Sequence, residues 1–203
     1  MTVTALKQSS PTRCIAVMDD GSEIKTTLNT VTDLRLYVGK ELDEAAFEEL
    51  KRSSLKALAR ERALEILNRR PYSSQELYRK LLEKGEEEEI AAECIRWLTD
   101  NGFLNDESYA ASVARHYTSR GFGAGRVRAE LQRRGISREI QDGTAESLPD
   151  VSEKIDKFLS SRLKDPEDRD EIRRVSAALY RRGFSWDEIR AGLNRYHAEV
   201  EEN

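Results

Sequence analysis

A chain of 203 residues, 38% hydrophobic and 35% charged, holds enough apolar material for a core in one or two domains beneath a heavily charged surface. Its net charge of −4 argues against a protein that simply coats DNA, and no stretch approaches the roughly 18 continuous apolar residues of a membrane helix. The N-terminus lacks the basic-then-apolar pattern of a secretory signal, and two isolated cysteines, Cys14 and Cys94, suit a reducing compartment, so a cytoplasmic protein is expected.

Residues 1–10 are polar and expected to be disordered. Thr12 to Asp19 reads as a strand, Asp20-Gly21 as a hairpin turn and Glu23 to Leu28 as the returning strand. Two strands alone are marginal, so this hairpin must lean on something else. Val31 to Val38 and Leu42 to Leu50 predict short helices, completing a small N-terminal module over residues 1–50. From Ser53 the pattern is helical, with Leu55, Leu58, Ala59, Ala63, Ile66 and Leu67 on one face. Pro71 stops that helix, and the capping box Ser73-x-x-Glu76 starts the next, with Leu77 and Leu81 facing inward. Gly85 ends it. A third helix carries Ile90, Ala91, Cys94, Ile95 and Leu98 and closes a first repeat over 51–104.

The same series recurs over 105–149. Asp106 is read as the cap of a helix bearing Tyr109, Ala110, Val113, Ala114 and Tyr117. The run Gly121-Phe122-Gly123-Ala124-Gly125 follows a helix rather than a strand, so it is read as a flexible helix–helix joint and not as a phosphate loop. Val127 and Leu131 mark the second helix, Gly135 its end, and Ile140, Ala145 and Leu148 the third. A last copy over 150–203 carries Ile155, Phe158, Leu159 and Leu163, then Asp165-Pro166 as a helix start. Ile172, Val175 and Leu179 follow, then Gly183 and a second capping box, Ser185-x-x-Glu188.

Three glycines align the copies, spaced 50 and 48 residues apart. Four positions before each stands Leu81, Leu131 or Leu179; eight before stands Leu77, Val127 or Val175. An isoleucine follows at Ile90, Ile140 or Ile189, the last displaced by one residue. Each copy is too small to bury its own core, so neighbours are expected to stack. The fold class expected is mostly α: three tandem three-helix repeats behind a small module containing a β-hairpin.

No arrangement of side chains suggests catalysis. The cysteines and the two histidines, His116 and His197, are too scattered for a zinc site, and no metal or cofactor is expected. The acidic run Glu86 to Glu89 suits a helix start. Charge is unevenly placed: residues 51–84 carry ten basic and four acidic side chains, 85–104 one and six, and 105–138 seven and three. The first basic block offers Arg69, Arg70, Arg79, Lys80 and Lys84. The second offers Arg115, Arg120, Arg126, Arg128, Arg133, Arg134 and Arg138, and Arg181-Arg182 repeats the Arg133-Arg134 pair ahead of its glycine. Arginine's planar fork binds phosphates or carboxylates in bidentate fashion, so the cluster is read as a partner-binding surface. Arg126, Arg128, Arg133 and Arg134 are its centre; Arg115, Arg120, Arg69, Arg70, Arg79 and Lys80 assist.

The stretch Ala63 to Leu81, centred on Asn68-Arg69-Arg70-Pro71-Tyr72-Ser73, resembles the RecX family of bacterial recombination regulators. So do Trp97 to Ala110, containing Asp100-Asn101-Gly102-Phe103-Leu104, and Gly125 to Ile136, containing Leu131-Gln132-Arg133-Arg134-Gly135. The resemblance implies an elongated, curved array of three-helix repeats that binds the RecA filament on single-stranded DNA. It implies damping of strand exchange, ATP hydrolysis and coprotease activity, and so a part in DNA repair, recombination and the SOS response. The chain would act as a monomer, meeting single-stranded DNA through the filament and no membrane. One departure from the family pattern is Glu86, which follows Gly85 where an aromatic often stands. A stand-alone helical DNA-binding protein is the alternative. It predicts tight duplex binding without a protein partner and a steep salt dependence.

Overall fold

The computed structural model describes the backbone of residues 1–201 and the side chains of residues 1–197. Three antiparallel strands open the chain: β1 (Val3–Gln8), β2 (Arg13–Met18) and β3 (Glu23–Thr27), in the order β1-β2-β3. The expectation of a disordered start is therefore wrong. Leu6 lies opposite Ala16 and Lys7 opposite Ile15, so the first residues complete a sheet that two strands would leave marginal. Alternation in β2 buries Cys14, Ala16 and Met18 on one face. Asp20-Gly21 makes the expected turn, with Gly21 at φ 84°.

Two short helices were expected next, and the chain makes something different. Helix α1 spans Leu28–Asp33, capped by the Thr27 hydroxyl, which accepts from the Thr30 N–H at 3.2 Å. Helix α2 spans Glu44–Leu67 without a break, capped by Asp43 accepting from Ala46 N–H at 2.8 Å. Its early turns lie against the sheet, where buried Ser54 donates to the Thr26 hydroxyl at 2.8 Å and Leu50 packs with Val3, Met18, Leu36 and Leu42. Its later turns put Ala59 and Ala63 into a second core with Leu77, Leu81, Cys94 and Leu98. One helix serving two cores shifts its buried stripe, which leaves Leu55, expected inside, 44% exposed.

Helices α3 (Ser74–Glu83) and α4 (Glu88–Asp100) complete the first three-helix group. The second is α5 (Asp106–Ser119), α6 (Ala124–Arg133) and α7 (Arg138–Glu146); the third is α8 (Ser152–Arg162), α9 (Arg169–Arg181) and α10 (Trp186–Glu201). The chain divides into two compact units, Met1–Leu104 and Asn105–Asn203. Both capping boxes form, at Ser73 with Glu76 and at Ser185 with Glu188. Two other caps fall elsewhere than expected. Asn105, not Asp106, caps α5, and Asp168, not Asp165, caps α9, because its carboxylate reaches the N–H groups of Asp170 and Glu171 at 2.8 and 3.2 Å.

The three aligned glycines make one and the same corner. Gly85, Gly135 and Gly183 sit at φ 87°, 74° and 90°, and each donates to the carbonyl three residues back, at 2.9, 2.9 and 2.8 Å. The next residue donates to the aligned leucine: Glu86 to Leu81 at 3.1 Å, Ile136 to Leu131 at 3.1 Å, Phe184 to Leu179 at 3.3 Å. This double closure satisfies carbonyls the helix would otherwise strand. It accounts for a leucine four positions ahead of each glycine: that residue accepts the closing bond and is fully buried.

The glycine-rich run is not a flexible joint. Gly123 N–H donates to the Arg182 carbonyl and Gly125 N–H to the Gly183 carbonyl, each at 2.9 Å, so the start of α6 docks main chain to main chain on the third corner. A Cβ on Gly123 would stand 2.5 Å from the Gly183 carbonyl oxygen, and one on Gly183 would stand 2.2 Å from the Arg126 nitrogen. Only residues without side chains admit this approach.

Candidate partner-binding surface

Helix α6 carries the centre of the arginine cluster, and its register decides what each side chain can do. Val127 and Leu131 face the core. Glu130 shares that side and is only 5% exposed. A buried carboxylate needs partners, and two come from the following turn. Arg133 donates to Glu130 at 2.6 and 3.3 Å, and Arg134 Nε donates at 2.9 Å. Arg134 also donates to the Tyr109 hydroxyl on α5. The Arg133 hydrogen bond, aided by Arg134 against the cost of burial, holds the Glu130 carboxyl down at about 2. Arg133 and Arg134 were expected to stand with Arg126 and Arg128 at the centre of the binding surface. The structure gives Arg134 a packing role, since its side chain is 22% exposed, while Arg133 keeps 69% exposure and an outward edge. Glu130 and Tyr109 were the missed partners; an acid three and four positions ahead of an arginine pair was the available signal.

Arg126 and Arg128 are exposed and point to different neighbours. Arg128 meets Asp142 of α7 at 3.4 Å. Arg126 has its guanidinium 5.9 Å from the Phe122 ring centre and no carboxylate partner among the described residues. On α5, Arg115 is exposed, and Arg120 reaches His116 at 3.3 Å. In the first unit Arg70 stacks on Tyr72 at 3.6 Å with Glu76 at 3.8 Å, and Lys80 pairs with Glu83 at 2.7 Å. Arg69 and Arg79 are exposed, with no ion pair among the described residues. The expected set thus falls into separate groups, and the arginines whose charge is least compensated are Arg69, Arg79, Arg115 and Arg126.

No group of three His, Cys, Asp or Glu side chains among the described residues is placed to hold a metal ion. Cys94 is buried, and desolvation pushes its thiol up to about 11, which leaves it unreactive at neutral pH. No helix among these residues is long and apolar enough to cross a membrane.

Comparison with known proteins places this geometry. Residues 59–98 match the family model of the RecX first three-helix domain, 105–143 the second and 155–193 the third. The regulatory protein RecX of Xanthomonas citri is 37% identical over 134 residues, covering 64% of this chain and 83% of that one. That of Vibrio cholerae serotype O1 (strain M66-2) is 33% identical over 140 residues, covering 68% and 92%. A crystal structure of regulatory protein RecX superposes with a TM-score of 0.75 at 24% identity over 94% of this chain and 98% of that one. RecX from Lactobacillus salivarius gives 0.63 at 23% identity, over 70% and 96%. At these identities the two structures speak for the fold.

Proposed function

Because this chain belongs to the RecX family, we propose that it is a regulatory protein that binds the RecA filament on single-stranded DNA and damps its recombinase, ATPase and coprotease activities. The observation that carries this reading is the ordered run of all three family domains, each turning on the same glycine corner. A repeated unit suits a repeated target, since several weak contacts on one chain add through effective concentration. The acidic balance of the whole chain disfavours indiscriminate DNA coating, and the uncompensated arginines supply attraction to anionic surfaces at chosen places.

The contacts we assign are Arg126 and Arg128, the outward edge of Arg133, and the exposed Arg69, Arg79 and Arg115. Arg134 is excluded from charge-reversal tests, because a carboxylate there would face buried Glu130. The test is RecA-catalysed ATP hydrolysis on single-stranded DNA with and without this protein. Wild type lowers the rate. The Arg126→Glu, Arg128→Glu pair, checked as folded by circular dichroism, needs about tenfold more protein for the same inhibition. Unaltered inhibition by the folded pair would remove these residues from the site; a wild-type protein without effect on RecA would remove the function.

A further inference from the structure

Helix α2 turns one face toward a hollow of about 550 Å³ in the first compact unit. Ser53, Ala57, Arg60 and Leu64 line it at the three- and four-residue spacing of a helix face. Leu28 and Leu34 from the ends of α1 and Trp97 of α4 supply further apolar wall. Most polar groups there are already engaged. Ser53 donates to Glu49 at 2.6 Å, the Thr27 and Thr30 hydroxyls bond each other at 3.0 Å, and Lys56 pairs with Glu93 at 2.5 Å. Glu61 accepts from Thr12 and from Arg13. Arg60 is the exception. It is half-buried, its guanidinium lies 4.7 Å from the Trp97 ring centre, and it has no ion pair among the described residues. Its Nε is shut off from solvent and finds no acceptor among those residues. The next two residues of the helix, Glu61 and Arg62, both find opposite charges. Asp33, exposed at the edge of the hollow, is the other lining charge without an ion pair among the described residues.

We propose that this hollow binds a small organic monocarboxylate with a compact apolar body, the carboxylate held by the Arg60 fork and the body by the leucines and Trp97. A buried arginine N–H without an acceptor costs free energy, and a carboxylate supplies the missing bonds in the geometry that the fork prefers. The Trp97 ring beside the guanidinium restrains its orientation, so less freedom is lost on binding. A hollow of this size, with an apolar wall and few convergent polar groups, has the build of a small-molecule site. One uncompensated cation matches one negative charge. A phosphate dianion or a nucleic-acid backbone would bring more charge than Arg60 meets, and would be repelled by Asp33 and Glu61. The hollow shares no lining residue with the surface proposed for RecA, so either can fail without the other.

The test titrates the full chain with adamantanecarboxylate, which does not absorb in the tryptophan band. Trp186→Phe leaves Trp97 as the single tryptophan, so its emission reports on the hollow. The carboxylate shifts that emission saturably, and adamantanemethanol, of the same shape without the charge, binds about tenfold more weakly. Arg60→Ala in the same background, checked as folded by circular dichroism, loses about tenfold in affinity for the carboxylate and nothing for the alcohol. Ala57→Phe keeps Arg60 but fills the hollow and abolishes binding of both, which decides the matter should Arg60→Ala not fold. No saturable binding of the carboxylate, equal affinity for the alcohol, or unchanged carboxylate affinity in either folded variant overturns the site. Displacement of the carboxylate by inorganic phosphate at equal concentration, or tighter binding of a blocked Leu-Glu-Leu peptide, overturns the ligand class.

Discussion

The corner at Gly85 and the corner at Gly183 are built from the same two main-chain hydrogen bonds, yet their surroundings have little in common. At Gly183 the next residue, Phe184, is 2% exposed in the third core, and the start of α6 presses on the glycine itself. At Gly85 the next residue is Glu86, which forms an ion pair with Arg62 of α2, and a Cβ on the glycine would meet nothing within 4 Å. The corner at Gly135 resembles Gly183 in closing over an apolar residue, Ile136 at 4% exposure. The main-chain turn is therefore generic, and what it touches makes one corner a docking surface and another an open elbow. Glu86 is matched in space by a cation that the long α2 helix brings to it.

That contrast can be broken at several points. Gly183→Ala combines a left-handed backbone position with a clash against the Arg126 main chain, and should cost about 4 kcal/mol in urea denaturation. Gly85→Ala meets only the backbone penalty, about 1 kcal/mol. Equal losses at the two glycines would show that the docking of α6 contributes nothing. Next in size is the Glu130 clamp. Glu130→Ala leaves Arg134 partly buried without its carboxylate and should cost about 3 kcal/mol. The carboxyl is lower in the folded protein than its ordinary value of 4.5, so its contribution is complete above about 4.5 and is lost as pH falls toward about 2. Wild type should lose up to about 3 kcal/mol across that window from this group, and Glu130→Gln should lack that component in an acid titration followed by circular dichroism. The smallest effect is expected at the open corner. Glu86→Leu exchanges an ion pair whose carboxylate is 10% exposed and whose guanidinium is 41% exposed for an apolar residue of similar size, and should move stability by about 1 kcal/mol, since the lost attraction is offset by the carboxylate's cost of burial. A thermal shift as large as that of Glu130→Ala would mean that the Gly85 corner is as tightly built as the others.

Much of the helical plan was legible in the chain. The corners, the two capping boxes and the buried leucines follow from interactions within a few residues, which sequence spacing records directly. The N-terminal strand was not legible, because β1 owes its order to pairing with β2 and its buried residue Val3 to packing with Leu36, Leu42 and Leu50. The arginine cluster was visible as composition but not as a site. Whether an arginine is available depends on which acids and rings the fold sets beside it, and Glu130 absorbs two of the four central ones.

The repeated turn is written into the chain locally: only glycine adopts the left-handed conformation cheaply, so Gly85, Gly135 and Gly183 dictate where each helix reverses. Which side chains those turns bring together depends on the packed fold. The start of α6 and the corner at Gly183 come from different repeats and meet because Gly123 and Gly183 let two backbones approach to hydrogen-bonding distance. Contacts of that kind depend on the packing of whole repeats, and no local spacing encodes them.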